Sequence, residues 1–279
     1  MGIPEAILYG IIQGIAEFLP VSSSGHLALA QNFFGTGSGG NFAFNVALHL
    51  ATLFSVCCVY RKDVYSMIKG FCSLSGKLFK GKLFSVRPEG GEKTFIAVAV
   101  ATLPLVPIKL FGLDGAVERL CGINIAVGAL LIANGIMLAV CGRIPEGSEE
   151  VAGGGYLRPL GIGLVQAFFG ILPGISRSGS TITAGRAAGY RREEAVRFSF
   201  LLSVPAIGGA CVSELPQAFS EGAESVPAPA FLAGATAAAL TGFAAIKLVK
   251  LLSKKGGFIG FAVYSAAIGT AAVIADVLK

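Results

Sequence analysis

One motif is written twice in this chain, at Gly10-Ile-Ile-Gln13-Gly-Ile-Ala-Glu17-Phe-Leu-Pro20-Val-Ser22-Ser23-Ser24-Gly25 and at Gly163-Leu-Val-Gln166-Ala-Phe-Phe-Gly170-Ile-Leu-Pro173-Gly-Ile-Ser176-Arg177-Ser178-Gly179. In both copies a Gln stands seven residues before the Pro of a Leu-Pro pair, and Ser-x-Ser-Gly follows. The agreement extends past the motifs: Phe44 lies 19 residues after Gly25, Phe198 lies 19 after Gly179, and each opens a long apolar run. The copies differ in chemistry, with Glu17 against Gly170, Ser23 against Arg177 and His26 against Ser180. A duplicated unit has become two complementary halves.

Both halves belong in a bilayer. Hydrophobic residues make up 54% of the chain and charged residues only 14%, with a mean hydropathy of +0.74, outside the range of soluble domains. Six nearly uncharged stretches, 44–60, 94–113, 121–142, 197–214, 228–250 and 257–276, approach the ~20 residues a helix needs to cross the hydrocarbon. The expected fold is an all-α integral membrane protein with these six transmembrane helices.

Charge orients it. Residues 61–93 carry eight basic and three acidic residues, which places that loop in the cytoplasm by the positive-inside bias. Counting spans onward puts 215–227, with Glu221 and Glu224 and no basic residue, outside, and 247–256, with Lys247, Lys250, Lys254 and Lys255, inside. This parity closes only if 1–35 and 161–190 each enter and leave on one side. The expected layout is therefore an inverted-topology repeat: a re-entrant hairpin 1–35 and three spans in residues 1–142, a cytoplasmic connector 143–160, then a hairpin 161–190 and three spans in residues 161–279. The net charge of +6 is accounted for by topology and anionic lipid, so no nucleic-acid partner is expected. The six Cys show no metal-ligand spacing and no disulfide is inferred. The start Met1-Gly2-Ile3-Pro4-Glu5 lacks a basic n-region, so no cleaved signal peptide is expected.

Pro20 and Pro173 end the first half-helix of each hairpin, and the serines that follow suit the cap of a second. Two helix N-termini then point inward, a setting that binds phosphate or carboxylate. Glu17 and Arg177 stand at these tips, where an ionisable group costs at least ~2.5 kcal/mol unless function requires it. Gln13 and Glu17, four apart, share a helix face and can present oxygens to a divalent cation or a hydroxyl. Arg177 between Ser176 and Ser178 offers a planar fork to phosphate oxygens. A Glu17–Arg177 ion pair of purely structural purpose is the alternative. His26, one turn after Ser22-Ser23-Ser24, could move a proton or attack phosphorus. His49 has no such company in sequence and reads as a packed or bundle-facing polar residue.

Taken together, Gln13-x3-Glu17-Phe-Leu-Pro-Val-Ser-Ser-Ser-Gly-His26 and Pro173-Gly-Ile-Ser-Arg177-Ser-Gly-Ser-Thr181 resemble the two signature motifs of the bacterial undecaprenyl-diphosphate phosphatase family, also called the bacitracin-resistance family. The similarity covers essentially the whole chain, including Phe-Ser-Phe-Leu-Leu-Ser-Val-Pro205. It implies a multi-pass plasma-membrane enzyme that converts undecaprenyl diphosphate to the monophosphate for cell-wall synthesis, depends on Mg2+ or Ca2+ and raises bacitracin tolerance. By motif position it implies metal or base roles for Gln13 and Glu17, a serine-histidine cluster of Ser22, Ser23 and His26, and a phosphate-holding loop of Ser176, Arg177, Ser178 and Thr181. Gln13 departs from the many members with Glu there, which weakens a strict two-carboxylate metal site.

The expected chemistry is phosphoryl transfer, which asks mainly for positioning and charge neutralisation. Ser23 is the expected nucleophile, Glu17 orients or deprotonates it, His26 handles protons, and Arg177 with Ser22, Ser24, Ser176, Ser178 and Thr181 holds the diphosphate. His26 as nucleophile and a metal-activated water are the rival assignments. Inverted repeats with broken helices also mark secondary transporters, so a polyprenyl-phosphate transporter or flippase is the alternative of a different class. Expected partners are a polyprenyl diphosphate lipid and the bilayer, with a homodimer left open. The hairpin bearing Ser23 is expected to open to the external side, with residue 40 outside.

Overall fold

The computed structural model describes residues 1–34, 42–81, 88–112, 114–153, 155–220, 226–255 and 257–278. Among them every regular element is helical: α1 Ile3–Phe18, α2 Ser23–Phe34, α3 Phe42–Val59, α4 Arg61–Phe79, α5 Gly91–Thr102, α6 Leu105–Leu110, α7 Asp114–Cys121, α8 Asn124–Arg143, α9 Leu157–Phe169, α10 Arg177–Ala187, α11 Arg192–Ser220, α12 Ala228–Lys255 and α13 Ile259–Val277, with one 3-10 turn at Val151–Gly153.

The six expected spans are all present, as Phe42–Val59, Gly91–Leu110, Asn124–Arg143, Arg192–Pro216, Ala228–Lys254 and Ile259–Val277. The chain is a multi-pass membrane protein. The second span is two helices, because Pro104 and Pro107 interrupt its backbone ladder between α5 and α6. Along the spans, Phe54, Ile136, Leu240 and Val263 are exposed, which is where lipid replaces water as the neighbour. Inside, Phe18 meets Phe200 edge-to-face with centroids 5.7 Å apart, in a core that also holds Val56, Ile182 and Ile246.

Two stretches read as loops are not loops. Residues 61–79 form the amphipathic helix α4, which packs on α5 and exposes Tyr65, Ile68, Phe71 and Phe79 between its lysines. Residues 114–121 form α7. Residue 40, Glu221 and Glu224, on which parts of the sidedness argument rest, lie outside the described residues.

Helix pairing has a twofold regularity. The first helix of each motif packs on a span from the other half of the chain, α1 on α12 and α9 on α5, while α3 pairs with α11 and α8 with α13.

Each motif is a helix, a break and a second helix. Leu19 leaves the α region at φ −65°, ψ 142°, the conformation favoured before a proline. Ser22 then turns the chain at φ 74°, a left-handed conformation that costs a non-glycine residue about 1–3 kcal/mol. Its hydroxyl offsets part of that cost by accepting from the amides of Gly25 at 3.3 Å and Gly174 at 3.0 Å, the second bond crossing to the other motif. In the second copy Ser176 caps α10 in the ordinary way, accepting from the Gly179 amide at 3.1 Å.

The two breaks touch. A Cβ on Gly25 would stand 2.9 Å from Gly174 Cα, and one on Gly174, which has φ +106°, would stand 2.7 Å from Val127 O. Asn134 of α8, fully buried, fastens both: its Nδ2 donates to Pro20 O at 2.9 Å and to Ser265 Oγ at 3.1 Å, and its Oδ1 accepts from the Ser176 amide at 2.9 Å. Arg186 closes the far end of the second hairpin by donating to the carbonyls of Cys141 and Ile144 where α8 ends.

These contacts predict a sharp contrast between two glycines. Gly174→Ala meets backbone and a forbidden φ, and should cost about 2–3 kcal/mol or more of stability. Gly161→Ala has open space in α9 and should be neutral or gain about 0.5–1 kcal/mol. Thermal unfolding in detergent checks both; equal melting temperatures for the two variants would contradict the tip contact.

Candidate active site

The ends of α1 and α10 bring the expected residues to one place. Arg177 Nη2 donates to Glu17 Oε1 at 2.5 Å, joining the two motifs across 160 positions of sequence. On the other carboxylate oxygen, Glu17 Oε2 accepts from Ser23 Oγ at 2.9 Å and from Gln13 Nε2 at 3.0 Å. The one-turn spacing of Gln13 and Glu17 therefore does place both on one face of α1. Gly170 explains its own place opposite Glu17 in the repeat, since a Cβ there would stand 2.9 Å from Arg177 Cγ and block the guanidinium's path.

His49 joins this group, although its sequence surroundings gave no sign of it. Its Nδ1 lies 2.9 Å from Gln13 Nε2. An amide nitrogen only donates, so Nδ1 accepts and the imidazole proton sits on Nε2. The 3.8 Å approach of Nδ1 to Glu17 Oε2 is consequently not an ion pair. The Gln13 amide spends one N–H on Glu17 and the other on His49.

His26 points elsewhere. Its Nδ1 donates to Ser22 O at 2.8 Å, its Nε2 lies 3.0 Å from the Tyr264 hydroxyl, and the two rings stack with centroids 5.5 Å apart. It grips the carbonyl of the left-handed residue next to Ser23 and does not meet Glu17. Among the other serines, Ser24 and Ser176 reach the cavity below, whereas Ser178 Oγ is spent on Ser176 Oγ at 3.0 Å. Thr181 lies buried beneath the loop, donating to Arg177 O at 2.9 Å and paired with Ser199 Oγ at 2.7 Å.

A cavity of about 620 Å³ opens over this cluster. Its polar wall is Glu17, Ser22, Ser23, Ser24, His49, Gln166, Ser176 and Arg177; its apolar wall is Leu105, Val106 and Ile108 of α6 with Pro205 and Ile207 of α11. Lys109 and Glu214 also line it, 3.8 Å apart. Four polar atoms of the cluster and of the cavity lining are buried with no hydrogen-bond partner among the described residues: Gln13 Oε1, both amide atoms of Gln166, and Arg177 Nη1. Buried polar atoms are ordinarily paired, so this concentration marks a place built to meet a polar ligand.

Glu17 and Gln13 Oε1 are the oxygen donors a hard cation would find here. Among the described residues there is no cluster of three or more His, Cys, Asp or Glu to complete a protein cage. The pair fits a divalent cation that takes its remaining ligands from phosphate oxygens and water, as Mg2+ commonly does.

Sequence reasoning missed His49, Asn134 and Tyr264. The available signal was polarity inside an apolar span: Asn134 is the one polar side chain between Ile125 and Val140.

Comparison with known proteins is consistent along the full length. A family model described as "Bacitracin resistance protein BacA" matches residues 6–271. A protein named undecaprenyl-diphosphatase from Desulforapulum autotrophicum is 37% identical over 277 residues, covering 99% of each chain. Proteins of the same name from Alkaliphilus metalliredigens, 34% identical over 98% of each chain, and Rubrobacter xylanophilus, 36% identical over 98% of this chain and 97% of its own, align similarly. With both motifs converging on one cavity and the match running from α1 to α13, this chain belongs to the bacitracin resistance protein BacA family.

Proposed function

We propose that this chain is a membrane phosphatase that hydrolyses undecaprenyl diphosphate to undecaprenyl phosphate and inorganic phosphate, recycling the carrier lipid and supporting bacitracin tolerance. The relatives' shared name supports the substrate. The observation that carries the chemistry is the contact series Ser23 to Glu17 to Arg177, at 2.9 and 2.5 Å: a hydroxyl beside a proton acceptor, and a guanidinium on that acceptor's other side.

Ser23 Oγ attacks the terminal phosphorus and its proton passes to Glu17 Oε2. The anhydride P–O bond breaks, and its electron pair leaves with the lipid monophosphate. Water then adds to the phosphoserine, the P–Oγ bond breaks, and the Glu17 proton returns to Oγ. Arg177, through the unpartnered Nη1, holds the diphosphate, where a planar donor fork matches phosphate oxygens, and Ser176, whose hydroxyl caps α10, borders it. Ser22 and Ser24, at the start of α2, border the same anion; Ser178 and Thr181 support the loop from below. His26 keeps the Ser22 carbonyl, and hence the Ser23 turn, in place. His49 holds the Gln13 amide so that Oε1 stays free. A divalent cation, Mg2+ or Ca2+, on Gln13 Oε1 and Glu17 would neutralise charge on the diphosphate. The wall of α6 and α11 suits an isoprenoid tail.

The architecture that serves this chemistry is two repeats, 1–142 and 161–279 around the connector 143–160, whose hairpins 1–35 and 161–190 are re-entrant from opposite sides. The twofold helix pairing supports it. The charge bias supports an active site open to the external side.

Phosphate release from long-chain polyprenyl diphosphate by detergent-solubilised protein tests the reading, because hydrolysis needs no second compartment and transport does. Ser23→Ala should lose at least about a thousandfold in kcat and Arg177→Ala about a hundredfold or more; a chelator should depress the wild type. An acid-stable phosphoenzyme on Ser23 is expected, and an acid-labile one on His26 would overturn the assignment of the nucleophile.

In the same assay His49→Ala should lower kcat about ten- to a hundredfold with KM changed by less than about threefold, since it displaces a group beside the base. An unchanged kcat would remove His49 from the scheme. For sidedness, Gly40→Cys in a cysteine-free background should label from outside intact cells; protection until the membrane is opened would reverse the orientation.

A further inference from the structure

At the opposite ends of α3 and α11 from the catalytic cavity lies a second cavity, of about 590 Å³, built from the C-terminal ends of α3 and α12 and the starts of α4 and α11. Its acids are largely spoken for. Asp63 accepts from Arg197 at 2.5 Å, Glu194 accepts from the same guanidinium at 2.9 Å, and Glu146 is held by Arg192 through its backbone amide at 2.7 Å and its side chain at 3.4 Å. Arg61, Lys62, Lys250 and Lys254 also line it, and none of the four has an ion-pair partner among the described residues; Glu193 is the one acid left on that wall without one. Cation excess therefore remains after every arginine–carboxylate pair is formed.

A second, independent feature lies in the same wall. Tyr60 is 4% exposed and lines the cavity, and its hydroxyl has no hydrogen-bond partner among the described residues. Burial pushes that phenol well above its ordinary range, so it stays a neutral O–H donor. Arg192, whose side chain reaches Glu146 and the Ser253 carbonyl of this cavity, likewise has a buried Nε with no hydrogen-bond partner among the described residues. A buried donor with no acceptor is costly, and it calls for an anionic or carbonyl oxygen.

The cavity continues sideways into a groove that shares Val59, Arg61, Lys250 and Lys254 with it and adds Cys58, Phe243, Lys247 and Leu251. This groove has cations and apolar side chains but no acid. Lys247 lies over the Phe243 ring at 4.2 Å and Lys250 approaches the Tyr60 ring at 5.4 Å, which keeps both ammonium groups at the boundary between apolar wall and polar bowl. Beside it runs α4, whose exposed Tyr65, Ile68 and Phe71 give it the character of a helix lying in the headgroup layer.

We propose that this bowl and groove form a binding site for an anionic phospholipid, its phosphate among Arg61, Lys250 and the Tyr60 hydroxyl, and its acyl chains along Phe243 and Leu251. A basic pocket between helices that opens to the acyl region is the chemistry that recognises such headgroups. A free phosphate would use the same cations but has no use for the groove. The site shares no residue with the catalytic cavity, so it stands or falls separately from the reaction proposed above.

The test uses the full chain in detergent, with phosphatidylglycerol, phosphatidylcholine or inorganic phosphate added, read by native mass spectrometry for bound lipid and by thermal shift. Phosphatidylglycerol should bind and raise the melting temperature, and phosphatidylcholine should do neither. R61Q/K250Q should bind phosphatidylglycerol on the order of tenfold more weakly. Tyr60→Phe, which keeps the ring packed against Phe200, should weaken it about three- to tenfold. Should R61Q/K250Q fold poorly, Tyr60→Phe alone carries the test. Equal binding of the two lipids, phosphatidylglycerol binding unchanged in Tyr60→Phe, or a full thermal shift from inorganic phosphate alone would each overturn the proposal.

Discussion

A helix that breaks releases amides and carbonyls that need new partners, and much in this molecule depends on how those groups are recovered. In hydrocarbon each unpaired one costs several kcal/mol, so irregular backbone survives only where protein supplies the partners. Here the partners are mutual. Ser22 of one break caps its own helix and also accepts an amide of the other, and Asn134 takes one carbonyl and one amide, one from each. The second break thus draws a partner for its Gly174 amide from the first, and both breaks share Asn134. Convergence of the two motifs helps satisfy the backbone before it serves any chemistry.

With the backbone settled, the side chains left over define the cavity. Hydroxyls that serve as caps, Ser22 and Ser176, and those turned inward, Ser178 and Thr181, hold the scaffold. What lines the cavity is an acid and hydroxyls on one motif and a cation on the other. The same division appears within single residues. The Gln13 amide gives both N–H groups to neighbours and keeps its oxygen, and the Arg177 guanidinium gives one nitrogen to Glu17 and keeps another. A low-dielectric setting makes those remaining groups strong ligands.

Much of this was legible in the sequence because duplication reveals geometry. Matching Gln13 with Gln166 and Pro20 with Pro173 locates both breaks, and hydropathy locates the six spans to within a few residues. The Glu17–Arg177 contact follows from two lone charges at the two breaks. Less visible were residues whose role depends on which way a spanning helix is rotated. His49 and Asn134 are placed by the facing of α3 and α8, and uniformly apolar helices give no periodic signal from which to read a face. His26 shows the converse. Its nearness in sequence to Ser23 is real, yet one turn of helix is enough to aim the ring at Tyr264. In α4 the lysines dominated a charge count and hid the apolar face between them.

The Arg177 side chain crosses above Gly170, where the other copy of the motif carries its carboxylate. One copy of the motif has an acid at that turn; the other has glycine, and a cation from the start of the following helix passes over the gap. Because the guanidinium is rigid and two-ended, it reaches the acid of the other motif with one nitrogen while the second stays buried without a hydrogen-bond partner among the described residues. An ammonium would serve both acceptors from one centre, without the planar fork that fixes where each of them sits. The two motifs are in this way joined through one planar group, so any shift of one against the other moves the Glu17 carboxylate and the Arg177 guanidinium together.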